Sequence, residues 1–218
     1  MTKKQNEFHI ITVGNSIITN YKRITEREDV KQAPMMDEEF WSKILKDESC
    51  MNEIYKLVDE NPKEMSAELN SFLRYCEKYG INNENVEVCL VGTETASNNI
   101  ALNILVRYFE AHGFASHEPV IIPKVKSIET PEGSKEFGES VIDVMYNILR
   151  IGEEKKEKDY KVVVNPTGGF KAHVIAAAIA GFFLRSEVYY IHEEFKELVV
   201  LPPLVNLALE KYKEEFGE

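Results

Sequence analysis

One stretch constrains this chain more than any other: Val162-Val163-Val164-Asn165-Pro166-Thr167-Gly168-Gly169-Phe170-Lys171. The β-branched run reads as a buried strand. It drops into a Gly-Gly turn, and a helix starts at once, because Ala172 to Leu184 is mostly Ala, Ile and Phe with no proline. A strand that feeds a helix through a glycine turn gathers unpaired backbone N–H groups at the positive end of a helix dipole, which makes an anion site. Glycine carries no Cβ, so the backbone can come close to a phosphate. Thr167 adds a hydroxyl and Lys171 a full positive charge. The pattern is neither the dinucleotide fingerprint nor the P-loop. A tight strand-to-helix turn with a solvated lysine is also ordinary α/β chemistry, so this stretch alone leaves both readings open.

The rest of the chain supplies the sheet. Phe8 to Val13, Val86 to Val91, Val120 to Val125 and Tyr160 to Val164 read as short apolar strands. Helical segments fall between them: Asp37 to Asp47, Cys50 to Asp59, one from Pro62 to Gly80, Ala96 to His112 and Phe137 to Lys155. Asn15 to Lys31 reads as a polar segment, and Ile128 to Lys135 as a loop marked by Pro131 and Gly133. Glu187 to His192 and Leu198 to Leu201 read as an antiparallel hairpin turning at Glu193 to Glu197. Val205 to Phe216 reads as a helical tail. Strands alternating with helices imply an α/β, Rossmann-like fold: a mostly parallel sheet flanked by helices, with a C-terminal β-hairpin and a helical insertion after the first strand. The expected organisation is one domain over 1–204, with the insertion at about 37–80, and a tail over 205–218.

In such sheets ligands bind beyond the carboxyl ends of the strands. Three ends rich in small polar residues collect there: Gly14-Asn15-Ser16, Gly92-Thr93-Glu94-Thr95 and Asn165 to Lys171. That convergence favours a ligand site. The formal net charge of −11 argues against broad binding to duplex nucleic acid, but not against a small anion in a locally positive pocket. No run of 18 apolar residues suggests a membrane span. Three cysteines without metal-ligand spacing fit reduced thiols in a cytoplasm, and no Cys/His cluster suggests a metal.

Three pieces together resemble the CARF family, the CRISPR-associated Rossmann-fold domains. They are Thr12-Val13-Gly14-Asn15-Ser16, the segment Asn165 to Lys171, and Tyr189 to Phe195 running on to Leu201-Pro202-Pro203-Leu204. The resemblance implies a homodimeric binder of cyclic oligoadenylate, most commonly cyclic tetra-adenylate, with one ring lying across the two-fold axis. Some members, the ring nucleases, cut the ring without metal or cofactor: a ribose 2′-hydroxyl attacks the neighbouring phosphorus and leaves a 2′,3′-cyclic phosphate. On that reading Lys171 and Ser16 are the catalytic candidates. Lys171 offsets charge on the transition state, and Ser16 contacts a ribose hydroxyl or a phosphate oxygen. Gly14, Asn15, Thr93, Glu94, Asn165, Thr167, Gly168 and Gly169 are the ligand-binding candidates. No side chain stands out as a general base.

Other residues have plainer readings. Thr93, Glu94 and Ser97 can cap the helix at Ala96. Lys22 and Arg23 can form a lid or remain solvated, His173 reads as structural, and His192 and Glu193 as turn chemistry. Arg107 to His112 matches R-x4-H, the active-site pattern of HEPN ribonucleases, but it sits at a helix end inside the Rossmann core. The chain after Leu204 is expected to be too short for a HEPN bundle. The rival expectations are a binding module acting on a separate effector, and an unrelated mononucleotide enzyme. The latter would need a ribose-binding acid after the first strand, where none stands out.

Overall fold

The computed structural model describes residues 5–123, 130–191 and 197–217. Its centre is a strand, β1 (Glu7–Thr12), with parallel neighbours on both sides: β2 (Val86–Thr93) and β5 (Lys161–Asn165). Beyond β2 lie β3 (Ala115–Ser116) and β4 (Val120–Ile122), both pairing with it in parallel. Beyond β5 lie β6 (Glu187–Ile191), parallel, and β7 (Leu198–Leu201), antiparallel to β6. The order β3-β2-β1-β5-β6-β7, with β4 also on β2, places the topological switch point between β1 and β5. The antiparallel pairing expected of the last two strands is present. His192, Glu193 and the intervening turn, the end of the third predicted strand at Val125, and Ile128 lie outside the described residues.

Alternation along the strands divides the core into two layers. Ile11, Val13, Val86, Val88 and Leu90 face one side, Phe8, Ile10, Val162 and Val164 the other. The first layer is covered by the chain between β1 and β2 together with α7 (Ala96–Ala111). That connection comprises α1 (Ser16–Ile24), α2 (Glu28–Gln32), α3 (Glu38–Lys46), α4 (Glu48–Glu60), α5 (Pro62–Met65) and α6 (Ala67–Tyr79). The second layer is covered by α8 (Pro131–Lys156) and α9 (Lys171–Phe183); α10 (Leu204–Phe216) follows β7. Among the described residues no helix is long and apolar enough to cross a membrane.

The helix starts have visible causes. Asp37, Asp47, Ser66, Thr95 and Thr130 each accept a backbone N–H in the first turn of the helix they precede. Gly80, at φ 58°, closes α6 in the left-handed conformation that only glycine adopts cheaply.

Three sequence expectations need correction. The polar segment Asn15 to Lys31 is largely helical. Ile17, Ile18 and Tyr21 of α1 are fully buried, and its charged residues occupy the other face. The predicted loop at Ile128 to Lys135 is, from Pro131, the first turn of α8. Proline at the first helical position loses no hydrogen bond, and Thr130 caps the start. The single helix from Pro62 to Gly80 is two, broken where Ser66 turns extended (φ −131°, ψ 123°).

Candidate functional site

The loops after β1, β2 and β5 meet at the carboxyl edge of the sheet, as the strand order requires. The β1 and β5 loops touch through glycine. A Cβ on Gly14 would stand 2.5 Å from the Gly169 nitrogen, and one on Gly168 would stand 2.2 Å from both the Gly14 nitrogen and Glu68 Oε1. These two glycines therefore serve first to let two backbones interlock. The Gly168 N–H donates to the Thr12 carbonyl at 3.1 Å. The β2 loop is tied in by Asn98, a buried residue of α7. Its Nδ2 donates to the carbonyls of Val13 (3.0 Å) and Gly14 (3.2 Å), and its Oδ1 accepts the Thr93 N–H at 2.8 Å. The Glu94 N–H donates to the Ile122 carbonyl, and its side chain is exposed.

A residue the sequence reading passed over organises this edge. Glu68, in the first turn of α6, is only 1% exposed. Its Oε1 accepts the Gly14 N–H at 2.8 Å, and its Oε2 accepts the Ser16 hydroxyl at 2.5 Å and the Ser66 hydroxyl at 2.9 Å. Short bonds of this kind are the charge-assisted class. Ser16 in turn accepts the Ala67 N–H at 3.1 Å. One turn on, Ser71 accepts from Asn165 Nδ2 at 2.7 Å and pairs with the Thr167 hydroxyl at 3.1 Å, while Thr167 donates to Asn165 Oδ1. The groups of Gly14, Ser16, Asn165, Thr167 and Gly168 are thus engaged within the chain. The signal for Glu68 was present: it lies four residues before Phe72, so it is a carboxylate on a buried helical stripe. The break at Ser66, which makes it a first-turn residue, was not legible.

Other groups at this edge remain open. Thr12 Oγ1 and Asn15 Oδ1 are buried without a hydrogen-bond partner among the described residues. Neither α1 nor α9 has a side-chain cap at its N-terminus, whereas Thr95 caps α7. Gly169, at φ 105°, and Phe170 and Lys171 are exposed, and no described residue pairs with the Lys171 ammonium. A cation at the first position of a helix opposes the dipole. Its placement there favours an outside anion that both the lysine and the uncapped N–H groups can hold.

His173 lines a small cleft between these loops with Thr12, Thr93 and Gly169. It is buried, stacked on Phe137, and its Nε2 is 2.9 Å from the Ser140 hydroxyl. Burial lowers its pKa. These contacts fit the structural role read from the sequence.

Lys22 is tethered to the Ala33 carbonyl, and Arg23 is exposed. The R-x4-H residues sit toward the other end of α7, against α4. Arg107 bonds Asn52 at 2.6 Å and covers the Tyr55 ring, and His112 stacks on Tyr108 and reaches Asp59 at 3.5 Å. The three cysteines are buried, and burial pushes the thiols of Cys76 and Cys89 up to about 12.

A family model described as CRISPR-associated protein (Cas_APE2256) matches residues 63–204, well over half of the chain. The chain belongs to this CRISPR-associated family. The match runs from α5 through β7, and so takes in Glu68, the β2 loop and the whole Asn165 to Lys171 segment. Membership agrees with the CRISPR-associated Rossmann fold that the sequence resembles. Among solved structures, Enterococcus italicus Csm6 bound to cyclic hexa-2′-fluoro-hexa-dAMP aligns over 99% of this chain at 11% identity, with a TM-score of 0.37. The chain spans 40% of that protein's length.

Proposed function

We propose that this protein binds cyclic oligoadenylate, with cyclic tetra-adenylate as its ring, at the carboxyl edge of the sheet and cleaves it without a metal or cofactor, acting in the cytoplasm to end a type III CRISPR signal. The observation that carries this reading is the uncapped start of α9 with exposed Lys171 at its first position, set at the β1–β5 switch point of a CRISPR-associated protein. The substrate brings its own nucleophile, a ribose 2′-hydroxyl. The protein's task is then to orient that hydroxyl in line with the phosphorus and to stabilise the charge that develops. Lys171 and the N–H groups at the start of α9 hold the phosphate. Ser16 lies across the switch point on α1. Gly169, Asn15, Thr93 and Glu94 line the same edge.

A homodimer completes the site. Ile175, Ile179 and Phe183 follow Lys171 at four-residue steps along α9 and are 59%, 39% and 66% exposed; on α8, which packs against α9, Ile142 and Tyr146 are 67% and 61% exposed. A second copy packed on this apolar stripe buries it and brings two Lys171 side chains to the top of one two-fold axis. A ring with two-fold symmetry fits such an isologous pair. Ile179→Glu is expected to shift sedimentation from dimer to monomer and to weaken ring binding with it.

The test of the reading is incubation of the purified protein with labelled cyclic tetra-adenylate in EDTA, with products resolved over time. Linear di-adenylate ending in a 2′,3′-cyclic phosphate is expected. Tight binding without cleavage would instead make the protein a sensor acting on a separate effector, and neither binding nor cleavage would overturn the ligand assignment.

A further inference from the structure

The sequence offered no general base, and the structure places a buried carboxylate directly behind Ser16. The hydroxyl of Ser16 donates to Glu68 Oε2 at 2.5 Å, and its oxygen accepts the Ala67 N–H at 3.1 Å. A serine oxygen has one proton and two lone pairs. With the proton on Glu68 and one lone pair on Ala67, what Ser16 still offers is a single acceptor site. An acceptor cannot hold a phosphate oxygen; it can hold a hydroxyl. Ser16, the first residue of α1 at this edge, is half-buried, whereas Glu68 is enclosed. Glu68 is itself fixed by the Gly14 N–H and the Ser66 hydroxyl, and Gly168 leaves no room beside Oε1 for any side chain.

We propose that Glu68 is a positioning residue that turns Ser16 into an acceptor for the attacking ribose 2′-hydroxyl and relays that hydroxyl's proton away. The proposal rests on the ring-cleaving reading above. As the 2′-oxygen bonds to phosphorus, its proton passes to Ser16 Oγ, and the Ser16 proton passes to Glu68 Oε2. The bond from phosphorus to the 5′-oxygen breaks, and that oxygen takes a proton from water. Glu68 then returns its proton to solvent, so the net reaction is an isomerisation of one phosphodiester into a 2′,3′-cyclic phosphate and a free 5′-hydroxyl. Nothing is oxidised or reduced. The same arrangement selects a ribose over a deoxyribose at this position, because only the ribose supplies a donor.

The test uses the full chain in single-turnover cleavage of labelled cyclic tetra-adenylate, comparing wild type with Glu68→Gln. Glutamine keeps the shape: its carbonyl oxygen still accepts from Gly14, and its amide faces the two serine oxygens, but it cannot take a proton. The expected result is a loss of about 10²–10⁴-fold in rate, with ring affinity within about threefold of wild type. Adding Glu68→Gln to Ser16→Ala is expected to cost little more than Ser16→Ala alone, since the two act as one unit. The rate of wild type in mixtures of H₂O and D₂O is expected to bow downward with deuterium fraction, and the residual rate of Glu68→Gln to bow less, a difference that a merely structural carboxylate would not produce. Cleavage by Glu68→Gln at the wild-type rate overturns the proposal alone. If the variant does not fold, the wild-type mixtures decide, and a straight line overturns it. If wild type binds the ring and does not cut it, the ring-cleaving reading falls and this relay falls with it.

Discussion

Helix α6 meets the sheet through two polar clusters, one at each end, and they differ in one respect. Toward the amino edge, His9 on β1 bonds the Tyr189 hydroxyl and Glu7, each at 3.0 Å. Tyr75 of α6 donates to Glu187 at 2.5 Å and accepts from Lys161 at 3.0 Å, and Lys161 also pairs with Glu187 at 3.0 Å. Tyr75 stacks on Tyr189 with ring centres 4.3 Å apart. This cluster is closed, its polar side chains engaged with one another. The carboxyl-edge cluster around Glu68 and Ser71 is equally well bonded, but beside it Thr12 Oγ1 and Asn15 Oδ1 are buried without a partner among the described residues, two helix starts carry no side-chain cap, and Lys171 is exposed. Buried polar groups are costly to leave unpaired. A closed network secures a helix to a sheet, whereas an open one marks where a ligand's groups complete the count.

The comparison breaks first at Gly168. Gly168→Ala drives a Cβ into the Gly14 backbone and Glu68. It should part the two loops, abolish ring binding and cost about 1–3 kcal/mol of stability through overpacking, read by urea unfolding and a binding titration. Lys171→Ala separates function from stability. Cleavage should fall by about 10²–10³-fold, while Tm holds or rises slightly because a cation leaves a helix N-terminus.

Tyr75→Phe does the reverse. It strips Glu187 and Lys161 of a partner and should cost about 1–3 kcal/mol, with ring affinity unchanged. The smallest effect is in pH. Burial lowers the pKa of both His9 and His173 from the ordinary 6.5, so the unfolded chain binds these protons first. Stability is therefore fully present above about pH 6.5 and should decline as pH falls toward the depressed folded values, by at most about 1.4 kcal/mol per pH unit for each histidine; Tm measured from pH 7.5 to 5.5 checks it.

Much of this was legible in the sequence because it depends on local pattern. Val162 to Lys171 gave its strand, turn and helix, and the hairpin and the strand–helix alternation gave the sheet. What was hidden depends on contacts between distant residues. In α1, Ile17, Ile18 and Tyr21 make too short an apolar stripe among Lys22, Arg23 and Asn20 to stand out. The glycines read as access for a phosphate are also the points where the β1 and β5 loops interlock. Glu68 stands 52 residues from Ser16, and no periodicity links a helix in the insertion to a serine beyond the first strand.

The most direct measurement is the dissociation constant for cyclic tetra-adenylate, determined side by side for wild type, Lys171→Ala and Tyr75→Phe. The account predicts tight binding by wild type, a clear loss at the open carboxyl edge in Lys171→Ala, and no change at the closed amino edge in Tyr75→Phe. Equal affinity in wild type and Lys171→Ala, or loss confined to Tyr75→Phe, would contradict it.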